Sequence, residues 1–184
     1  MDIQTERLII RSFKPADAKR VQEVCNDYDI AKTTLSLPIP YTIDHAKAFI
    51  EYTINSAKEN ISYEGAICFK DNPEKVIGCI GITNINKIAK RAELGWWVAK
   101  EEWNKGIATE AAKAIINFAF DKLKLHTLCA RHFENNPASG RVMQKSGMSF
   151  VGKMRDYESR LGEYHNVLYY DIVDSEFNFD NKNK

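Results

Sequence analysis

The sequence lacks a long uninterrupted apolar run, and it lacks an excess of charge of either sign: 26 basic and 25 acidic residues leave a net charge of +1. The missing apolar run indicates that no helix spans a membrane, and the polar start around Asp2 and Glu6 predicts no signal peptide. The near-neutral charge argues against nucleic acid or an anionic membrane as the main partner, and slightly disfavours strongly cationic substrates. We therefore expect a cytoplasmic protein.

Cysteine and histidine are also scarce, with 4 of each in 184 residues. The cysteines (Cys25, Cys68, Cys79 and Cys129) form no CxxC pair, and the histidines share no spacing typical of metal ligands. Scattered cysteines in apolar surroundings are typical of small buried side chains in a reducing compartment. We expect no disulfide and no metal. The length predicts a single domain over residues 1–174, followed by a polar, frayed tail over residues 175–184.

The most informative stretch joins a strand, a loop and a helix. Large apolar residues over 94–98 predict a buried strand, and a polar loop over 100–105 closes on Gly106. Apolar residues at helical spacing then predict a helix over 107–123. A helix N-terminus exposes unpaired N–H groups and carries partial positive charge. Because Gly106 allows close approach of a ligand and Lys105 could add charge, this unit is a candidate phosphate site.

The rest of the chain predicts a mixed α/β protein. Strands are expected over 5–11, 63–69, 76–84, 91–98, 127–133, 149–159 and 163–173, and helices over 15–26, 43–60 and 137–146, with an irregular segment over 27–42. Asn136 is a good N-cap before Pro137, and Gly147 suits the end of that helix. The strand, helix, strand order over 91–133 predicts a crossover and a parallel strand pair.

Two segments carry a family resemblance. The first is similar to the acetyl-CoA pyrophosphate loop of the GNAT superfamily of N-acetyltransferases, in the branch that acetylates ribosomal-protein N-termini (RimJ/RimL-like): Trp103-Asn104-Lys105-Gly106-Ile107-Ala108-Thr109. Gly106 and Ala108 fit the superfamily pattern, whereas Trp103 stands where Arg or Gln is usual. The second segment resembles the second cofactor motif of the same superfamily: Asn136-Pro137-Ala138-Ser139, with Lys145 and Gly147. Met148 stands there in place of the usual Phe.

This resemblance implies the GNAT acyltransferase fold, of α/β class and α+β type. Its central sheet is mixed and mostly antiparallel, with a V-shaped splay between the two strands that flank the cofactor helix. It also implies acetyl-CoA as co-substrate, no metal, and at family level a possible homodimer. The cofactor-binding residues that it implies are Trp97, Val98, Asn104, Lys105, Gly106, Ile107, Ala108, Thr109, Asn136, Ser139 and Lys145.

The resemblance also suggests which residues carry out catalysis. Many GNAT enzymes use a tyrosine as proton donor where this chain has Met143, and methionine cannot donate a proton. Ser139 matches a serine with that role in the RimJ/RimL-like branch, although a serine in a first helical turn also bonds backbone in many proteins. Glu93 is the candidate base, with a structural carboxylate as the alternative. A backbone N–H near Val98 would stabilise the oxyanion.

Other polar residues are weaker candidates. Glu110, in the first turn of the cofactor helix, is typical of a charge favoured by the helix dipole. His132 or His165 could act as a base.

The acceptor is less determined by the sequence. In the resembled family the segment after the first helix lines the acceptor site, which suggests Tyr28, Leu35, Leu37 and Tyr41, although ordinary core packing explains the same residues. The acceptor amine is either a protein N-terminal α-amine or a small-molecule amine. A catalytically weak, CoA-binding regulatory module of the same fold is the alternative function.

Overall fold

A computed structural model describes residues 2–177. Its strands are β1 (Asp2–Gln4), β2 (Leu8–Arg11), β3 (Tyr63–Phe69), β4 (Gly78–Asn86), β5 (Arg91–Val98), β6 (Thr127–Phe133), β7 (Ser149–Arg160) and β8 (Glu163–Val173). Its helices are α1 (Ala18–Cys25), α2 (Tyr28–Ala31), α3 (Ile43–Lys58), α4 (Ile107–Asp121) and α5 (Pro137–Lys145), with short 3-10 turns at Pro15–Asp17 and Lys100–Glu102. The strands form one sheet in the order β1-β2-β3-β4-β5-β6-β8-β7.

Every neighbouring pair in this sheet is antiparallel except β5 and β6, which are parallel. The parallel pair follows from the crossover through α4, since a tight hairpin cannot join parallel strands. Pairing between β5 and β6 stops early: only Arg91, Ala92 and Glu93 have partners on β6. From Leu94 to Val98 the two strands diverge. The predicted mixed, mostly antiparallel sheet and its splay are both confirmed.

The core lies on both faces of the sheet. Consecutive residues of β5 alternate between the faces, as strand geometry requires: Leu94 and Val98 pack with Ile107 and Ile115 of α4, whereas Trp97 packs with the α1 and α3 side. The sheet therefore separates two helical layers. Within residues 2–177, no helix combines the length and the apolar character that crossing a membrane requires.

The structure differs from the sequence-based prediction at both termini and in one loop. The strand predicted over 5–11 begins only at Leu8, because the Thr5 hydroxyl accepts a hydrogen bond from the Leu8 N–H and turns the chain, and the separate strand β1 lies before this turn. The short helix α2 lies in the segment predicted to be irregular, since four residues are too few to show a period. At the C-terminus, residues 178–184 of the predicted tail lie outside the described residues, while Phe177 packs on Phe120 with ring centroids 5.3 Å apart.

Candidate active site

A cavity of about 490 Å³ opens where the splayed end of β5 meets the N-termini of α4 and α5. We call it the loop cavity. It is lined by residues 96–98 at the end of β5, by Asn104 and residues 106–109, by Asn136, Ser139 and Lys145 of the α5 region, and by parts of 29–34. It therefore joins the two segments that resemble cofactor motifs, which are separate in the sequence.

The mouth of the loop cavity is made of backbone. Asn104 and Gly106 have left-handed backbone conformations, with φ of +63° and +78°, and asparagine and glycine are the residues that adopt this region most readily. Gly106 caps α4 without any side-chain hydrogen bond. The N–H groups of the first turn, at residues 107–109, thus have no capping side chain to accept from them. This arrangement fits an anionic group such as a pyrophosphate.

Ser139 stands at the N-terminus of α5, where Asn136 is the cap. The Asn136 side chain accepts from the Ser139 N–H at 3.4 Å and donates to Ser139 Oγ at 3.0 Å. Because Oγ already accepts this bond, the hydroxyl proton of Ser139 is free to be donated to a ligand. Ser139 faces the loop cavity and also a second cavity.

The second cavity, of about 560 Å³, lies on the α3 side of the sheet, and we call it the sheet cavity. Its floor includes Glu64 of β3, Gly81 of β4 and Gly95 of β5; its walls come from α3, the loop at 33–38, β6 and Met143. The two cavities share Thr33, Thr34, Trp96, Trp97 and Ser139. Ligands in the two cavities would therefore meet at one wall.

Glu93 lies in the sheet cavity, held by two side chains. Its carboxylate accepts from Arg131 Nε at 2.8 Å and from Asn84 Nδ2 at 3.0 Å, and Arg131 also pairs with Glu158. Although burial lowers the pKa of Arg131, its bonds to Glu93 and Glu158 hold that pKa above its ordinary value. The predicted base is thus one member of a three-residue charge network.

The histidines and Met143 have different surroundings. His132 is buried, its Nδ1 lies 2.7 Å from the Phe133 carbonyl oxygen, and burial lowers its pKa. Its Nε2 has no hydrogen-bond partner within the described part of the chain. His165 stacks on Phe133 at 4.8 Å. Met143, which the resemblance placed at the position of a tyrosine proton donor, is 1% exposed.

A polar brace that the sequence did not reveal supports the loop cavity from behind. Glu110, in the first turn of α4, accepts from Thr5 Oγ1 at 2.5 Å, from the Arg7 N–H at 2.9 Å and from Arg7 Nε at 2.7 Å. Arg7 Nη1 also donates to the Lys105 carbonyl oxygen at 3.1 Å. The brace joins the N-terminal turn to the glycine loop. Its only sequence signal was the Thr-Glu-Arg run, whose partner is about a hundred residues away.

The segment from Ala31 to Leu37, beside the sheet cavity, has a similar support. The Arg160 guanidinium, at the end of β7, donates to the Ala31 carbonyl oxygen at 2.7 Å and also to that of Leu37. Leu35, Leu37 and Tyr41, which the sequence suggested for the acceptor site, line the sheet cavity. Tyr28 is 61% exposed and is not part of that lining.

The structure brings together most of the predicted cofactor residues. All but one of them line the loop cavity: Trp97, Val98, Asn104, Gly106, Ile107, Ala108, Thr109, Asn136, Ser139 and Lys145. The exception is Lys105, whose Nζ turns to Glu102 Oε2 at 3.0 Å. Lys105 therefore does not line the loop cavity, and its carbonyl oxygen accepts from Arg7 Nη1.

Comparison with known proteins matches this geometry to a family. The model of the acetyltransferase (GNAT) domain matches residues 7–149, a stretch that contains both cavity-lining motifs. The chain belongs to the GNAT family. This GNAT chain is an N-acetyltransferase, and the resemblance and the fold stated from the sequence are both confirmed.

Its relatives are similar over nearly their full length. YdaF of Bacillus subtilis (strain 168), provisionally named a ribosomal N-acetyltransferase, is 28% identical over 181 residues, covering 94% of each chain. The uncharacterized N-acetyltransferase YnaD of the same organism is 32% identical, covering 97% of this chain and 100% of its own.

Solved structures show the same fold. A probable acetyltransferase has a TM-score of 0.88 at 26% identity, covering 96% of this chain and 99% of its own. RimL, a ribosomal alpha-N-protein acetyltransferase in complex with coenzyme A, has a TM-score of 0.86 at 16% identity, covering 94% and 98%. Spermidine N-acetyltransferase of Vibrio cholerae, in complex with CoA and spermine, has a TM-score of 0.79 at 20% identity, covering 92% and 96%.

Proposed function

We propose that the loop cavity binds acetyl-CoA, that the sheet cavity binds a primary amine, and that acetyl passes between them at their shared wall. The observation that carries this proposal is the uncapped N-terminus of α4 opening into a cavity that meets a second one at Trp97 and Ser139. Acetyl-CoA supplies the activated acetyl group as a thioester. RimL and the spermidine N-acetyltransferase, which share the fold, were solved with coenzyme A bound.

In this proposal, backbone and side chains of the loop cavity divide the work of binding. The N–H groups of residues 104–109 hold the pyrophosphate. The edge of β5 from Leu94 to Val98, which β6 leaves unpaired, offers backbone groups to the pantetheine amides as an added strand would pair. Lys145 and Asn136 complete the wall on the α5 side.

Acyl transfer to an amine needs a neutral amine, a stabilised oxyanion and a proton for the leaving thiolate. The Ser139 hydroxyl, free to donate, is the proposed proton source for the thiolate. The N–H near Val98 is the proposed oxyanion donor. Glu93 is the proposed base for the ammonium proton, acting from its pair with Arg131.

The acceptor is either a protein N-terminal α-amine or a small amine, since acetyltransferases named for each share this fold. The test is thiol release from acetyl-CoA across peptides with free or blocked N-termini and small amines. Turnover that is lost on blocking the α-amine would make the chain a protein N-terminal acetyltransferase, and turnover confined to small amines would make it a small-molecule enzyme. Tight acetyl-CoA binding without turnover would instead favour the regulatory module.

A further inference from the structure

One carboxylate in the sheet cavity has no part in the chemistry proposed above. Glu64 lies on β3, and the strand register places it opposite Gly81 of β4, which is in turn opposite Gly95 of β5. Residues paired across neighbouring strands point to the same face of a sheet. Glu64 and the two glycines therefore form one row across the cavity floor.

The two glycines keep this row open. A Cβ added at Gly81 would lie 2.5 Å from Glu64 Cγ, so the Glu64 side chain lies over this glycine. A Cβ added at Gly95 would meet nothing within 4 Å. The result is a trough from Glu64 across β4 to β5, two strand spacings or about 10 Å long. Trp97, at the wall shared with the loop cavity, is two residues beyond Gly95 on the same face.

Within the part of the chain that the structure describes, the carboxylate of Glu64 has no positively charged partner. Its recorded hydrogen bond comes from Ser62 Oγ at 3.2 Å, and among residues 2–177 it enters no ion pair. Burial raises the pKa of Glu64 above its ordinary value, although the hydrogen bond from Ser62 acts to lower it. The other side chains of the sheet cavity do not balance the negative charge of Glu64. Arg131 already pairs with Glu93 and Glu158, and the His45 ring accepts from the Thr42 N–H. A half-buried carboxylate in this position is costly unless a cation joins it.

We infer that Glu64 binds a second ammonium group of the acceptor, which makes the acceptor class a linear diamine or polyamine lying in the glycine trough. This inference rests on the proposed function. The shared wall at Trp97 lies two strand spacings across the sheet and two residues along β5 from Glu64, so a nitrogen at the wall and a second at Glu64 are separated by about 10–12 Å. The near-neutral charge of the whole chain, which slightly disfavoured cationic acceptors, conceals this local negative charge.

The test compares linear α,ω-diamines of increasing length with n-alkylamines of matched length, using thiol release from acetyl-CoA. The wild-type protein should prefer a diamine of intermediate length over its matched monoamine by about tenfold to a hundredfold in kcat/KM, the range of a charged hydrogen bond. Glu64→Gln should remove that preference by raising KM for the diamine, with kcat and all monoamine constants within about twofold. Glu64→Asp should restore part of it.

Two further variants separate this role from a structural one. Gly95→Ala adds a methyl group in open space on the trough floor, so it should fold and raise KM for long diamines and their matched monoamines together, whereas Glu64→Gln raises KM for diamines alone. Glu51→Gln, an exposed position on α3, makes the same change of net charge and should leave the preference intact. Glu64→Gln should leave Tm equal or higher, because it removes an unpaired buried charge.

The inference is overturned if the wild type shows no diamine preference, or if the preference survives Glu64→Gln. Monoamine turnover without a diamine preference would leave the proposed function standing and remove only the Glu64 role. If no amine is turned over, the proposed function fails, and calorimetry of diamine binding to the CoA complex decides the inference. Binding weakened by Glu64→Gln would support it, and binding independent of Glu64 would overturn it.

Discussion

The two cavities of this protein are built in different ways. The loop cavity takes most of its lining from two short segments, and its anion-binding groups are backbone N–H groups at a helix end. The sheet cavity takes its lining from six strands or helices and a long loop, and its charged groups are the side chains of Glu64, Glu93 and Arg131. A helix end attracts anions whatever its side chains are. In a cavity lined by polar side chains, by contrast, the ligand preference depends on each of those side chains.

Under the proposed function, cofactor binding and acceptor choice depend on separate parts of the chain. Substitutions at the loop cavity should change affinity for acetyl-CoA for every acceptor. Substitutions at the sheet cavity should change KM for some acceptors and leave acetyl-CoA affinity alone. Ser139, at the shared wall, should change kcat alone.

The largest effect is expected from Gly106→Glu. The substitution places a side chain at φ +78°, in a left-handed conformation that favours glycine, and adds a negative charge to the loop whose N–H groups would hold the pyrophosphate, with its Cβ 3.5 Å from Arg7 Nη2. The dissociation constant for acetyl-CoA should rise at least about a hundredfold, or about 2.7 kcal/mol. Calorimetry measures this.

Thr109→Glu keeps the backbone free of strain and should still weaken binding, since its charge also faces the loop cavity. Lys105→Ala, whose side chain is turned away, should change the dissociation constant by no more than about threefold, since surface ion pairs contribute little. Unchanged affinity in both glutamate variants would place the pyrophosphate elsewhere.

The shared wall is tested by Ser139→Ala. If the hydroxyl protonates the leaving thiolate, kcat should fall about a hundredfold, as for loss of a general acid, while acetyl-CoA affinity changes by less than about threefold. The Asn136 cap should survive, because the backbone N–H that it accepts from remains. Steady-state kinetics with the best acceptor, together with calorimetry, measures both. A loss of affinity equal to the loss of kcat would reassign Ser139 to cofactor binding.

A substitution in the brace between Glu110, Thr5 and Arg7 is expected to have an effect of intermediate size, on the stability of the fold. Glu110→Gln weakens charged hydrogen bonds from Thr5 and Arg7, so the free energy of unfolding at pH 7 should fall by about 1–2 kcal/mol. Burial opposes ionisation of Glu110, but bonds from Thr5 and Arg7 lower its pKa below the ordinary 4.5. A lowered native pKa means that this stability is present above about pH 4.5 and is lost as the pH falls through the native value.

Urea unfolding of wild type and Glu110→Gln at a series of pH values measures the difference. The two proteins should converge in acid and separate above about pH 4.5. A difference that does not depend on pH would mean that the charge of Glu110 is not the cause. Thr5→Ala, which removes one donor and no charge, should give a smaller loss at every pH.

The smallest effect concerns the ion pair between Asp29 of α2 and Lys100. Hydrogen bonds from Lys100 and then Lys32 lower the pKa of the exposed Asp29 from 3.8 to about 2. Because the native pKa is lowered, the contact holds above pH 3.8 and is lost as the pH falls toward about 2. NMR titration of the Asp29 carboxyl should show its midpoint near 2, and Lys100→Ala should move that midpoint back toward 3.8. Acetyl-CoA affinity should not change.

The parts of the fold that the sequence predicted are those with local causes. The strands at 63–69, 91–98, 127–133 and 163–173 have the predicted bounds. The start of α5 at Pro137 and its end before Gly147, at φ +95°, follow from capping and backbone preference. The short α2 and the break between β1 and β2 were missed, because each segment spans too few residues to show a periodic pattern of apolar side chains.

The family, the sheet with its one parallel pair, and the backbone of the loop cavity could be predicted without a structure. Turns, helix caps and apolar periodicity each depend on residues that are close together in the chain. Tertiary structure alone decided the rest. Glu64 meets Gly81 through strand register, Arg160 reaches Ala31 across 129 positions, and Glu110 meets residues 5–7 across 103 or more. Such contacts depend on strand order and register, and a one-residue shift of register would turn each side chain to the opposite face.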